Sequence, residues 1–207
     1  MTATLPVPAP PLAAILRGLE PEHAAGVARV LFDAGLRIVE VPLNRPGALQ
    51  AIAAIVDMAP ADALVGGGTM LTPADVDAVH AAGGRLMVSP NCNAAVIAQA
   101  RQRGMFAVPG VATPTEAFAA LDAGAHVLKI FPAEVIGPAG LKAMASVLPG
   151  GTAQWPGGRR TPHSLAAWVE AGATGVGIGS QLYRPGMALA DIDRAARAFV
   201  RAWSGAH

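Results

Sequence analysis

Eight short apolar runs, almost free of charge and each closed by glycine, proline or asparagine, alternate along the chain with stretches of helical periodicity. The runs are LAAILRG (12–18), RIVEVPLN (37–44), ALVGGGT (63–69), RLMVSPN (85–91), FAVPGVA (106–112), HVLKIFP (126–132), TAQWPGG (152–158) and TGVGIGS (174–180). Strands with so little polar alternation are buried on both faces, as in a parallel sheet covered by helices. Between them lie PEHAAGVARVLFDAG, TPADVDAVHAAGG, NAAVIAQARQRG, TPTEAFAALDAG and TPHSLAAWVEAG, whose apolar residues recur at helical spacing. Several of these open on Thr-Pro or Asn, an N-cap with proline in the first turn, and close on Ala-Gly, a C-terminal stop.

Eight βα units can close into a barrel or spread into an open doubly wound sheet. Even strand lengths and the lack of a long crossover select the barrel, an α/β fold of the (β/α)8 TIM type. At 207 residues the chain is shorter than the roughly 250 usual for that fold, so a short-loop version is expected. The phrase Asp/Glu-Ala-Gly returns at 33–35, 122–124 and 170–172, one βα module apart or a multiple of it, and no linker interrupts the series. One domain over 1–207 is expected, with 1–11 (MTATLPVPAPP) a loose lead-in that lacks the basic and apolar regions of a signal peptide.

A formal charge of +1 from 15 basic and 14 acidic residues makes no electrostatic case for nucleic acid or an anionic membrane. No apolar run reaches membrane-spanning length. The single cysteine, Cys92, excludes an intrachain disulfide and suits the cytoplasm. A small-molecule partner is therefore expected.

The chain has two lysines. Lys142 sits in GLKAMASVL, where it reads as solvated surface. Lys129 sits inside HVLKIFP, where desolvation lowers its pKa and supplies a neutral amine able to attack a ketone; the alternative is a lysine that snorkels to a carboxylate. Glu40 interrupts RIVEVPLN, and period two sets it opposite Val39 and Val41, pointing into the barrel with Lys129. It reads as a general acid/base acting through water, or as a simple ion-pair partner. Arg17, at the end of the first run, offers a planar fork for a substrate carboxylate, or pairs with Glu40. Thr69, Pro90 and Asn91 end the third and fourth runs and would line the same mouth. Gly157 and Gly158 after the seventh run, and Gly179 and Ser180 after the eighth, lie where barrels bind phosphate through backbone N–H groups.

LAAILRG, IVEVPLN, GGGT, VSPN, LKIFPA, the Gly-Gly pair and GIGSQLYRPG, in this order and over nearly the whole chain, resemble the class I aldolases of 2-keto-3-deoxy-6-phosphogluconate and -galactonate. The resemblance implies Lys129 as Schiff-base lysine, Glu40 as proton shuttle, Arg17, Thr69 and Pro90 around the pyruvoyl end, and Gly158 and Ser180 on the phosphate. It also implies a homotrimer that needs neither metal nor organic cofactor, acting on a phosphorylated sugar acid and releasing pyruvate. The gluconate type reads Glu-Val-Thr-Leu-Arg where this chain has Glu40-Val41-Pro42-Leu43-Asn44, which resembles the galactonate branch. One segment departs from the pattern: Trp155-Pro156-Gly157-Gly158-Arg159-Arg160 places two arginines where the family has an aliphatic residue. They either add phosphate contacts or face solvent, and the change bears on the residue just before the glycines, which would read C4, and on the register of the phosphate loop. A phosphosugar isomerase or synthase, or a phosphate-ligand binder without catalysis, would share the phosphate loops but would not need Lys129.

Overall fold

The computed structural model describes residues 7–206; the first six residues of the lead-in, and His207, lie outside the described residues. Each apolar run supplies a strand: β1 (Leu12–Ile15), β2 (Ile38–Pro42), β3 (Leu64–Gly68), β4 (Leu86–Val88), β5 in two pieces (Phe106–Val108 and Gly110–Val111), β6 (Leu128–Ile130), β7 (Gln154–Gly158) and β8 (Val176–Ile178). All pair in parallel, in the order β5-β4-β3-β2-β1-β8-β7-β6-β5, so the sheet closes on itself. Closure passes through the broken strand. Its first piece pairs with β4 and its second with β6. The break falls at Pro109, which has no N–H to give to a ladder, although its carbonyl accepts the Lys129 N–H at 2.9 Å.

The helices are α1 (Pro21–Asp33), α2 (Ala48–Val56), α3 (Pro73–Ala81), α4 (Ala94–Gln102), α5 (Pro114–Asp122), α6 (Ala133–Ala145), α7 (Leu165–Glu170) and α8 (Leu189–Ser204). Thr72 and Thr113 form capping boxes with Asp75 and Glu116, which satisfies amide donors that helix starts leave free. The repeated Asp/Glu-Ala-Gly ends in Gly35, Gly124 and Gly172, each near φ +100° (98°, 97° and 104°), a conformation costly for a residue with a Cβ. The segment TPHSLAAWVEAG does not begin as an α-helix. Pro162–Ser164 forms a 3₁₀ turn ahead of α7, because the Ser164 hydroxyl bonds both the N–H and the carbonyl of Thr161 and tightens the turn.

Alternation along the strands sorts the apolar residues into two layers. Val39, Val41, Val65, Met87, Leu128 and Ile178 pack outward beneath the helices, whereas Ala13, Ile38, Leu64, Leu86, Val88, Phe106, Val108, Val127 and Trp155 fill the interior. Phe106 stacks on the His126 ring at 4.4 Å and stands 6.4 Å from Trp155. The bulky side chains thus crowd the N-terminal end of the barrel and leave its C-terminal end for polar groups. Among the described residues no helix is long and apolar enough to cross a membrane.

Candidate active site

Two ionisable side chains enter the barrel from β2 and β6. Glu40 lies in register between Ile15 and Gly66, and Lys129 between Gly110 and Trp155. Lys129 Nζ stands 3.8 Å from Glu40 Oε1. Glu40 is 2% exposed and the Lys129 side chain 13%.

Glycines make the room. A Cβ on Gly68 would overlap the Glu40 carboxylate, and one on Gly157 would approach Lys129 Cε to 2.8 Å. Gly68 of GGGT and Gly157 of WPGG therefore serve the two charged side chains, which cross the faces of neighbouring strands where a larger residue would stand. A void of about 20 Å³ remains beside the pair, bounded by Ile15, Val108, Trp155 and Gly177, enough for about one water-sized group.

Burial disfavours charge on both partners. It raises the Glu40 pKa, against the opposing fields of Lys129 and Arg17. It lowers that of Lys129, where the Glu40 charge works against the shift and Arg17 reinforces it. Both shifts run toward the neutral amine and the protonated acid. Glu40 Oε2 has no hydrogen-bond partner, an unusual state for a buried carboxylate oxygen. The ring of Phe131 lies 5.3 Å from Nζ.

Above the pair, at the C-terminal ends of the strands, opens a cavity of about 300 Å³ lined by Ile15, Arg17, Lys129, Phe131, Gly158, Arg159, Gly179, Ser180, Tyr183, Arg184 and Pro185. Lys129 lines both this cavity and the inner void. The lining has three guanidinium groups and no carboxylate, so the cavity suits an anion.

Most of the residues singled out in the sequence converge here, with corrections. Arg17 follows β1 by two residues rather than ending it, is exposed, and makes no ion pair with Glu40; it acts on that carboxyl through its field. Gly158, Gly179 and Ser180 line the outer cavity, but Gly157 turns inward onto the Lys129 stem. Thr69 and Pro90 stand just past β3 and β4 and line neither space. Thr69 holds φ at 54°, rare for a β-branched residue and a form of strain that gathers at functional sites. Asn91 is exposed, Cys92 half-buried, and Lys142 exposed. Phe131, Tyr183 and Arg184 line the cavity without having been given a role from the sequence; they directly follow the motifs LKI and GIGSQL, and that adjacency was the available signal. Arg159, one of the two arginines expected either to add phosphate contacts or to face solvent, lines it too.

The unusual seventh strand is intact. It pairs with β6 from Gln154 to Pro156 and with β8 at Gly157 and Gly158. Its two arginines part company. Arg159 is exposed at the cavity. Arg160 is 4% exposed, reaches Glu134 at 3.5 Å and lies 4.4 Å over the Trp168 ring. Glu134, on the first turn of α6, also accepts the Arg159 backbone N–H. Burial would raise its pKa, but that N–H and Arg160 hold it below the usual carboxylate range. Among the described residues no group of three or more His, Cys, Asp or Glu side chains gathers as a metal site.

The chain is similar to known proteins over nearly its full length. The family model of KDPG and KHG aldolase matches residues 8–197. The "2-dehydro-3-deoxy-6-phosphogalactonate aldolase" of Escherichia coli (strain K12) is 47% identical over 193 residues, covering 93% of this chain and 94% of the relative. A "Probable 2-dehydro-3-deoxy-6-phosphogalactonate aldolase" of Rhizobium meliloti (strain 1021) is 46% identical over 197 residues, covering 95% and 93%. A solved structure described as native KDPGal superposes with a TM-score of 0.93 at 47% identity, over 95% of both chains. A closed eight-unit barrel with a buried lysine and glutamate inside it, matched over nearly its whole length by these proteins, belongs to the KDPG and KHG aldolase family.

Proposed function

We propose that the protein is a Schiff-base aldolase, one (β/α)8 domain over its 207 residues, which cleaves 2-dehydro-3-deoxy-6-phosphogalactonate to pyruvate and glyceraldehyde 3-phosphate. The observation that carries the reading is Lys129. It is a buried amine that its surroundings drive toward neutrality, it lies 3.8 Å from a carboxyl driven the same way, and it faces a cavity of suitable charge.

Lys129 adds to the C2 ketone, and the carbinolamine loses water to give an imine. Glu40 moves the protons of these steps through the inner void beside the pair, which has room for one water. The iminium accepts the electron pair of the C3–C4 bond as the C4 hydroxyl loses its proton, which releases the aldehyde. Protonation of the enamine at C3 and hydrolysis of the imine release pyruvate and restore the amine. Arg17 holds the carboxylate; Thr69 and Pro90, just past the C-terminal ends of β3 and β4 and outside the two spaces, form the rim on the pyruvoyl side. Gly158, Gly179 and Ser180 hold the phosphate, and Gly157 leaves space for the lysine.

The galactonate epimer is favoured by Pro42 and Asn44 and by the two relatives at 46% and 47% identity, both named as 2-dehydro-3-deoxy-6-phosphogalactonate aldolases. The reading includes a homotrimer in the cytoplasm. Exposed apolar side chains at Phe118 on α5 and Val135 on α6 support association between copies.

The test is borohydride reduction in the presence of pyruvate, followed by peptide mass mapping. A reduced pyruvyl adduct on Lys129, absent from Lys129→Met, is expected. A folded wild-type protein that forms no adduct would overturn the proposal and leave an isomerase, synthase or phosphate binder on the same barrel.

A further inference from the structure

We infer that Arg159 is the side chain that grips the distal phosphate of the substrate, and that Glu134 and Arg160 form a clamp that aims it. The inference rests on the aldolase reading for the identity of the anion.

Two adjacent arginines follow Gly158, and the structure gives them opposite tasks. Arg160 cannot serve the cavity. It is buried against Trp168 and paired with Glu134. Arg159 lines the cavity beside Gly158, Gly179 and Ser180, and among the described residues its side chain has no ion-pair or hydrogen-bond partner.

The Arg159 backbone N–H is already engaged by the Glu134 carboxylate, so it is not free to hold a phosphate oxygen. What this residue can offer an anion is its guanidinium, whose fork matches two oxygens at once.

The clamp also explains the glycine before it. Gly158 has φ 138°, and a Cβ there would collide with the Glu134 carboxylate. Glu134 alone would set a negative charge beside an anion site. Arg160, held at 3.5 Å and shielded from solvent, offsets it. Glu134 is thus a positioning residue, tied to the loop by one amide and to α7 through Arg160.

Arg159→Gln and Arg184→Gln would be compared with wild type in two measurements. One is steady-state cleavage of the phosphorylated sugar acid and of its unphosphorylated counterpart. The other is calorimetric binding of inorganic phosphate. For Arg159→Gln the expected result is a KM about ten- to a hundredfold higher on the phosphorylated substrate only, kcat within about threefold, and a parallel loss of phosphate affinity. Glu134→Ala should raise the same KM and spare kcat. Glu134→Gln, whose amide oxygen can still accept the Arg159 N–H, should restore most of it. Equal losses on both substrates, no loss, or a phosphate-specific loss confined to Arg184→Gln would each overturn the inference. Pyruvate has no phosphate, so borohydride trapping should be unchanged in Arg159→Gln. A wild-type protein that binds phosphate through Arg159 yet traps no pyruvate would overturn the aldolase reading and uphold this one.

Discussion

Gly68→Ala tests whether the position of the Glu40 carboxylate matters to catalysis. Nothing in the backbone forbids alanine at this position in β3, but its methyl would fall within covalent-bond length of Glu40 Oε2 and 2.9 Å from Oε1. Non-bonded contact needs about 3.5 Å, so the carboxylate must retreat by about 2 Å. The neighbouring void of about 20 Å³ holds one water, too little for the whole displaced group, so the side chain must rotate away from its place beside Lys129. Overpacking of this kind costs about 1–3 kcal/mol, or a fall in Tm of about 2–12 °C at this size. Misplacing a proton-transfer group by more than 1 Å costs about a hundredfold in rate. The expected result is a folded protein with kcat down about a hundredfold, read as pyruvate release in a coupled assay, and KM little changed. Lys129 loses the charge that opposes the lowering of its pKa, so the shift toward the neutral amine deepens and the variant still traps pyruvate, more slowly. Gly67→Ala is the control. Its methyl would meet Val79 Cγ2 at 2.7 Å on the outer face, at a similar cost in stability and none in kcat. A Gly68→Ala protein with kcat within about twofold of wild type, or an equal loss in Gly67→Ala, would refute the reasoning.

Two further predictions concern stability. Burial, aided by the Arg101 charge, pushes the His126 pKa from 6.5 down to about 4, and its Nδ1 accepts the Ala107 N–H at 2.9 Å. Between those two values the unfolded chain binds the extra proton, so stability is lost as pH falls from about 6.5 toward 4. The urea midpoint should drop more between pH 7 and pH 5 in wild type than in His126→Asn, and equal drops would contradict the assignment. Arg160→Ala should cost about 1–3 kcal/mol in urea unfolding through lost packing on Trp168. Arg160→Leu should cost clearly less, because it keeps apolar contact with Trp168 where alanine leaves a void; equal costs in the two variants would show that the lost charge rather than packing dominates.

Much of the site could be read before the fold was seen, because the signals were local. A lysine in a strand with Leu128, Ile130 and Phe131 around it has to face a special environment. A glutamate opposite Val39 and Val41 has to point inward once the strand is buried on both sides. The order of the βα units placed Arg17, Gly158, Gly179 and Ser180 at one end of the barrel for the same reason. The expectation weakened at the loops. Gly157 and Gly158 are adjacent, yet one makes room for Lys129 and the other for Glu134, and only the strand's alternation in its final register separates them. Thr69 and Pro90 occupy the expected strand ends, but neither lines the inner void or the outer cavity.

The amino-acid sequence by itself determined the (β/α)8 plan and the inward direction of Glu40 and Lys129, since both follow from periodicity within single segments. Only the tertiary structure decided that β5 breaks at Pro109, that β7 keeps its pairing through the WPGGRR segment, and that Arg159 and Arg160 diverge. Those outcomes depend on groups remote in the chain: the pairing of β6 with β7, the carboxylate of Glu134 and the ring of Trp168. No local propensity encodes where a side chain 25 residues away, as Glu134 is from Arg159, will come to rest.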